Sequence, residues 1–248
     1  MTCTVLAKAN KKYQKQIFFL RHGQAQHNPR AEAAKESGCS HETFLDLMRQ
    51  DDVLDASLTE LGKVQALQAR QRYKDALETV ELIISSPLSR CIQTADLVLC
   101  PKTIPSLKRA KRFCSSHFRE INGWLLNAKH RGRDELVDLF SSTWDFSSVP
   151  CEDNEWTEVL ESQDSCGERG YQGLLFLMNQ PEEKIAVVTH GGILFYLMQH
   201  DCVKLVDGRD ESKRRFHNCE LRSFIMEWSH SENLDRVIIT LKETTIPS

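Results

Sequence analysis

Three short apolar runs, each followed at once by polar residues, stand out in the pattern of hydrophobic and polar positions. They are the apolar centres of the segments 16–20, 82–85 and 184–189. Runs of this length are typical of buried strands. Segments with helical spacing of apolar residues follow, at residues 59–76, 90–99, 166–178 and 193–199. This alternation predicts an α/β fold with three layers, α/β/α, around a mostly parallel central sheet.

Weaker patterns lie between these elements. Residues 29–55 are polar with two short helix-forming stretches, and we interpret them as a lid-like insertion beside the end of the first strand. Residues 121–164 form a variable, least regular region. Three further segments are interpreted as strands: an edge-like one at 107–113, and an antiparallel edge at 220–228 and 236–241. Because no linker or repeat interrupts the chain, we predict one domain over residues 1–248.

The helix at residues 59–76 has a recognisable start. Thr59 is a suitable N-cap. Four apolar residues recur at helical spacing in and before its first turns: Leu58, Leu61, Val64 and Leu67. That spacing is typical of an amphipathic helix.

Composition narrows the classes of function. The chain has 248 residues and a net charge of −3, so no overall basic field favours nucleic acid or a membrane surface as a partner. Its nine cysteines include no CxxC pair, which argues against a disulfide framework and favours a reduced, cytoplasmic protein. The segments 200–202 and 217–219 each contain a His and a Cys but lack a second ligand pair, so we expect no metal and no cofactor.

Polar side chains follow each of the three buried runs. Arg21 and His22 follow the first, Ser86 to Arg90 the second, and His190 the third. In open α/β sheets, ligands bind beyond the carboxyl ends of the strands, where these residues are expected to converge. An arginine is seldom buried without a partner, and its planar fork matches phosphate oxygens. A bound phosphate is therefore the natural ligand.

Three segments together resemble a known family. Leu20 to Gly23 with Asn28, residues 86–95 and residues 187–192 are similar to the signature segments of the histidine phosphatase superfamily, which has the phosphoglycerate-mutase-like fold. The resemblance spans about residues 16–228. Among members it is nearest to the small phosphoglycerate-mutase-like proteins of plants and fungi.

The resemblance implies roles for the residues at the strand ends. His22 would be the phosphoryl acceptor, neutral, with Nδ1–H bound to a backbone carbonyl. Arg21, Arg90 and His190 would surround the phosphoryl oxygens, with His190 protonated while phosphate is bound. Glu120 would serve as acid and then base. Glu42, Asp46 and Asp55 are the alternatives for that proton transfer.

Five further residues are candidates for substrate binding. Asn28 would add a hydrogen bond to the phosphate, although Asn before Pro also favours a turn. Gly191 and Gln24 lie beside the motif residues, with Gln24 and His27 expected at the rim of the site. Lys129 and Arg131 belong to a basic cluster that is either a second anion pocket or a solvated loop.

The expected activity is metal-independent hydrolysis of a phosphomonoester through a phosphohistidine. Two alternatives stay open: a phosphoglycerate-mutase-type transfer, and a catalytically idle member that binds a phosphorylated ligand or protein. The expected partner is a small phosphorylated substrate, with a phosphoprotein as the alternative. The sequence indicates no oligomeric state.

Overall fold

The structure is a computed structural model, and it describes residues 14–140, 143–206, 215–230 and 236–246. Its strands form one seven-stranded sheet. They are β1 Gln14–Arg21, β2 Leu82–Ser85, β3 Lys111–Cys114, β4 Lys184–Thr189, β5 Val203–Val206, β6 Leu221–His230 and β7 Val237–Thr244. The order across the sheet is β3-β2-β4-β1-β6-β7-β5. Every neighbouring pair is parallel except those that involve β6, so the sheet is mostly parallel as predicted.

Seven α-helices accompany the sheet in the described part of the chain. They are α1 Pro29–Glu36, α2 His41–Gln50, α3 Glu60–Leu77, α4 Ser89–Val98, α5 Arg133–Phe140, α6 Gln163–Met178 and α7 Gly191–Leu197. Short 3₁₀ helices lie at Pro105–Lys108, Ser116–Phe118 and Leu126–Ala128. None of the helices in the described residues is long and apolar enough to cross a membrane.

The core has two layers, one on each face of the sheet. Side chains of β1 alternate between them, with Phe18 and Leu20 in one layer and Ile17 and Phe19 in the other. Helices α3 and α4 cover the first layer, and α6 and α7 cover the second. A strand that is buried on both faces must be apolar throughout, which explains the unbroken apolar runs in the sequence. The three-layer prediction is confirmed.

The structure differs from the sequence predictions at the sheet edges. Strand β5 was not predicted, and it lies outside β7, with which it pairs in parallel. The pair β6 and β7 is antiparallel as expected, but it is not the edge. At the opposite edge only Lys111–Cys114 is extended, because the segment before it begins with Pro105 and forms a 3₁₀ turn.

Helix α3 starts at its predicted cap, since the Thr59 side chain accepts a hydrogen bond from the Gly62 N–H. Its apolar residues Leu61 and Val64 are 52% and 47% exposed, however. Small residues such as Ala66 and Ala69 face the sheet instead. The spacing therefore indicated the helix correctly but did not identify its buried face.

Candidate active site

His22 lies immediately after β1 and is buried. Its Nδ1 is 2.7 Å from the carbonyl oxygen of Gly23. A carbonyl oxygen can only accept, so Nδ1 carries the proton and Nε2 keeps its lone pair. Burial, followed by the charges of Arg90 and Arg21, holds the pKa of His22 well below its usual value. The ring is therefore neutral and can act as a nucleophile through Nε2.

Arg90 lies in the first turn of α4, fully buried. Its Nε donates to His22 Nε2 at 3.4 Å, and its Nη1 donates to the carbonyl oxygen of Asn127 at 2.7 Å. Its Nη2 is buried without a hydrogen-bond partner in the described residues. The start of α4 is held by Asp55, whose carboxylate accepts from the backbone N–H and the hydroxyl of Ser89. Arg90 therefore has one nitrogen, Nη2, that is available to donate to a ligand beside His22.

Arg21 has a similar surplus donor. Its Nη2 donates to Glu32 of α1 at 2.8 Å, and its Nη1 donates to the carbonyl oxygen of Phe216 at 2.9 Å. Its Nε is buried without a partner in the described part of the chain. Gly191 lies against this side chain, because a Cβ built there would be 3.3 Å from Arg21 Nε.

His190 ends β4 and is completely buried. Its ring centroid is 4.9 Å from that of His22, and its Nε2 is 2.8 Å from the hydroxyl of Ser86. Burial, then the charges of Arg90 and His22, keep its pKa well below the usual value. Without a ligand the ring is neutral. The imidazolium expected with phosphate therefore depends on the negative charge of the phosphate itself.

Glu120 faces the start of α7. Its carboxylate accepts from the N–H groups of Gly192 at 3.2 Å and Ile193 at 3.0 Å. Arg169 of α6 holds the preceding chain by donating to the carbonyl oxygens of Arg119 and Glu120. A Cβ on Gly192 would lie 2.2 Å from Glu120 Oε1, so only glycine permits this approach. Sequence reasoning identified Glu120 but not Gly192 or Arg169.

A cavity of about 690 Å³ opens at these strand ends. Arg21, His22, Asn28, Glu120 and Gly191 all line it, whereas Arg90 and His190 reach it through their contacts with His22. We call it the His22 cavity. The other walls come from α1, α2, residues 121–128, residues 160–163 and residues 215–218. Within the described residues, no group of three His, Cys, Asp or Glu side chains is placed to hold a metal ion.

A comparison with protein families decides the classification. The model of the histidine phosphatase superfamily, branch 1, matches residues 17–234. The chain belongs to this superfamily. Phosphoglycerate mutase-like protein 1 of Arabidopsis thaliana is 30% identical over 241 residues, which cover 86% of this chain and 81% of the relative. Phosphoglycerate mutase-like protein 2 of the same plant is 28% identical over 266 residues, covering 86% and 74%.

Solved structures show the same fold. A mycobacterial glucosyl-3-phosphoglycerate phosphatase matches with a TM-score of 0.51 and 18% identity, covering 93% of this chain and 97% of that one. The ecdysone phosphate phosphatase of Bombix mori, in complex with tungstate, matches with a TM-score of 0.52 and 16% identity, covering 85% and 88%. The family model thus confirms the family that the sequence resembles, and the solved structures confirm its fold.

Three of the predicted substrate-binding residues do not line the His22 cavity. The Gln24 side chain accepts from the Thr59 hydroxyl at 3.0 Å and so supports the start of α3. Lys129 lies over the ring of Trp156, 4.8 Å from its centroid. Arg131 pairs with Asp55 and Glu135. Two carboxylates therefore compensate the charge of Arg131, whereas Lys129 keeps its charge over an aromatic ring, and a second anion pocket at this cluster stays a prediction.

The alternatives for Glu120 are also placed elsewhere. Glu42, Asp46 and Asp55 do not line the His22 cavity. Asn28 does, but its side-chain oxygen accepts from the Ala25 N–H at 3.0 Å, as expected for a turn, and its amide nitrogen is the group left for a ligand. His27, expected only at the rim, is buried in the cavity wall, and its Nδ1 has no hydrogen-bond partner in the part of the chain that the structure describes.

Proposed function

We propose that this protein hydrolyses phosphomonoesters through a phosphohistidine formed on His22, without a metal ion. The observation that carries the proposal is the neutral His22 ring with its Nε2 lone pair, together with a buried guanidinium nitrogen of Arg90 and one of Arg21 that have no hydrogen-bond partner in the described residues. Phosphoryl transfer needs positioning and stabilisation of charge on the phosphoryl oxygens. Arginine N–H groups supply that stabilisation, so the site does not require a metal for it. Membership of the histidine phosphatase superfamily supports the same chemistry.

The reaction has two steps in this proposal. In the first, the Nε2 lone pair of His22 forms a bond to phosphorus while the bond to the leaving oxygen breaks. A protonated Glu120 gives its proton to that oxygen, and the alcohol leaves. In the second, water attacks the phosphorus, Glu120 takes a proton from it, and the P–N bond breaks to release inorganic phosphate. His22 returns to its neutral form, and Glu120 is protonated again.

The second candidate function is that of a mutase, because the similar proteins of Arabidopsis thaliana are named phosphoglycerate mutase-like proteins. A mutase passes the phosphoryl group from the histidine to a second hydroxyl instead of to water. The two activities are separated by incubating the protein with 3-phosphoglycerate and measuring inorganic phosphate and 2-phosphoglycerate together. We expect release of phosphate to exceed isomerisation, also when 2,3-bisphosphoglycerate is added as a primer.

The central test is the His22→Ala variant with phenyl phosphate as substrate. We expect turnover to fall by about 10³-fold or more, the scale seen when a nucleophile is removed. Substitution of the exposed His230, His230→Gln, is the matched control and should leave turnover unchanged. Activity in wild-type protein should survive EDTA.

A direct observation of the intermediate completes the test. A phosphorylated substrate labelled with ³²P should transfer acid-labile, base-stable label to the wild-type protein, and peptide mapping should place it on His22. Near-normal turnover by His22→Ala would exclude the mechanism. A strict dependence on added metal would exclude the metal-independent form of the proposal.

A further inference from the structure

The walls of the His22 cavity indicate what kind of phosphomonoester fits. A volume of about 690 Å³ lies in the range that encloses a drug-sized ligand, roughly 300–1,000 Å³. A phosphoryl group bound beside His22 would fill only a small part of this volume. Most of the space is therefore available to the leaving group.

The apolar part of the lining comes from the lid and from the variable region. Helix α2 contributes Phe44, Leu45 and Met48, and the facing loop contributes Ile121 and Leu125. Met48 and Leu125 also belong to a small hydrophobic cluster with Ala31 of α1, which fixes this wall in place. The residues for the chemistry thus come from the strand ends, and a preformed apolar surface lies opposite them.

The charged groups of the lining do not favour a second anionic group on the substrate. Four glutamates line the cavity, namely Glu32, Glu36, Glu120 and Glu161. The cationic lining residues are Arg21, which serves the phosphoryl site, and Lys35 and Arg215. Lys35 lies over the Phe44 ring at 5.3 Å, and Arg215 lies over the Phe195 ring at 4.2 Å. Glu32 pairs with Arg21 and Glu161 pairs with Arg169, so the four glutamates are matched by four cations and the lining has no excess of positive charge for a substrate carboxylate.

We infer that the substrates are phosphomonoesters with a bulky, uncharged and largely apolar leaving group, such as a ring system, rather than small phosphorylated carboxylic acids. This inference rests on the proposed function. Burial of such a group against α2 removes apolar surface from water, and the binding energy rises with the area buried. The specificity would then reside in the lid, while the strand ends supply the chemistry.

Two matched substrate pairs test the inference on the wild-type protein. The first pair is phenyl and 2-naphthyl phosphate, which both release an aromatic alcohol and differ by one ring. The second pair is benzyl phosphate and 3-phosphoglycerate, which both release an aliphatic alcohol but differ in charge. We expect kcat/KM to be about 10-fold or more higher for 2-naphthyl than for phenyl phosphate, the scale of an added apolar group in a pocket. Benzyl phosphate should likewise exceed 3-phosphoglycerate.

A lid variant tests the location of the apolar surface. Phe44→Ala should raise KM for 2-naphthyl phosphate by about 5- to 10-fold and leave the inhibition constant of inorganic phosphate unchanged. Leu47→Ala is the control, because Leu47 packs in the same cluster on the same helix but does not line the cavity. If the protein hydrolyses none of the four esters, the proposed function is refuted. Hydrolysis with a preference for 3-phosphoglycerate, or equal effects of both variants, would refute the substrate class alone.

A separate observation concerns His27. This side chain is 3% exposed and lines the His22 cavity, and its Nδ1 is buried with no hydrogen-bond partner among the described residues. Burial, then the charges of Arg90 and Arg21, hold its pKa well below the usual value, which places the neutral ring beside both guanidinium groups. Those groups also have unpartnered buried nitrogens, Arg90 Nη2 and Arg21 Nε.

Buried polar atoms without partners are rare in proteins and require an explanation, such as an absent ligand. Three of them in neighbouring side chains have one shared explanation, an anion that accepts from all three. We propose that His27 is a further ligand of the phosphoryl group, donating an N–H of its ring to a phosphoryl oxygen together with Arg21 and Arg90. It acts in binding and takes no part in the transfer of protons.

The test compares two substitutions at His27. His27→Phe keeps a ring but removes the donor, and it should weaken inhibition by inorganic phosphate and raise KM by about 10- to 100-fold, the scale of a lost hydrogen bond to a charged group. His27→Gln keeps an N–H donor and should recover most of the loss. His130→Gln, at a buried histidine outside the cavity, controls for effects on folding and should leave phosphate inhibition unchanged. Wild-type phosphate inhibition in His27→Phe, or equal losses in the Phe and Gln variants, would refute the role.

Discussion

Asp55 is a buried carboxylate that supports the active site without lining it. It accepts hydrogen bonds from Ser89 at the start of α4 and lies near Arg90 and Arg131. Burial is the largest influence on this group, and it raises the pKa from 3.8 to about 6 even though the hydrogen bonds from Ser89 oppose the shift. The position of Arg90 therefore depends on a group that titrates close to neutral pH.

This shift predicts a pH-dependent contribution to stability. Because the folded state binds the proton more tightly than the unfolded state, the contribution is complete below about pH 4 and is lost as the pH rises to about 6. Asp55→Asn removes it, so the free energy of unfolding of the variant relative to wild type should rise by about 3 kcal/mol between pH 4 and pH 7. Denaturant unfolding of both proteins across that range measures the difference.

Ser89→Ala provides the control for this prediction. It removes one hydrogen bond to Asp55 but leaves the carboxylate, so the pH dependence should persist or become steeper. A difference between Asp55→Asn and wild type that stays constant with pH would show that Asp55 does not titrate in this range.

At the scale of the element, helix α3 shows which features of a helix the sequence can predict and which it cannot. The Thr59 cap and the helical spacing located its start and its extent. Its buried face could not be read from the same pattern, because close packing of α3 on the sheet requires small residues there and leaves larger ones outside. Leu61 is 52% exposed, whereas Leu77 is fully buried.

The same substitution at these two leucines tests the assignment. Leu77→Ala should lower the free energy of unfolding by about 2–5 kcal/mol, since it leaves a cavity in the core. Leu61→Ala should change it by no more than about 0.5 kcal/mol, because alanine is at least as good a helix former at a solvent-exposed position. Urea unfolding measures both, and similar losses at the two positions would mean that another surface covers Leu61.

The elements that hold the site were predictable for a related reason. The central residues of β1, β2 and β4 are buried on both faces of the sheet, so these stretches are apolar and end abruptly at polar residues. Strand β5 is as short as β2, but it contains Lys204 and is partly exposed at the edge of the sheet, so its pattern does not distinguish it from a loop. Gln24 and Lys129 lie outside the His22 cavity, and the sequence could not show this because their neighbours in space, Thr59 and Trp156, are distant in sequence.

At the scale of the whole molecule, the phosphoryl site joins segments that are far apart in the chain. His22, Arg90, Glu120 and His190 follow different strands or turns, and the lid touches them through the pair of Arg21 with Glu32. The net charge of the chain is −3, so the attraction for an anion comes from local groups and not from an overall field. An anion that binds there links parts of both faces of the sheet.

Inorganic phosphate should therefore stabilise the folded protein as a whole. At a concentration 100 times its dissociation constant, binding adds about 2.7 kcal/mol to the free energy of unfolding. For a domain of this size that corresponds to a rise in Tm of about 5–10 °C.

Arg90→Gln should lose most of this rise, because it removes the unpartnered Nη2 beside His22. Arg72→Gln should keep it, since Arg72 is an exposed residue of α3 that does not line the cavity. Differential scanning calorimetry of the three proteins with and without phosphate decides the point, and an equal rise in all of them would place the anion somewhere other than the His22 cavity.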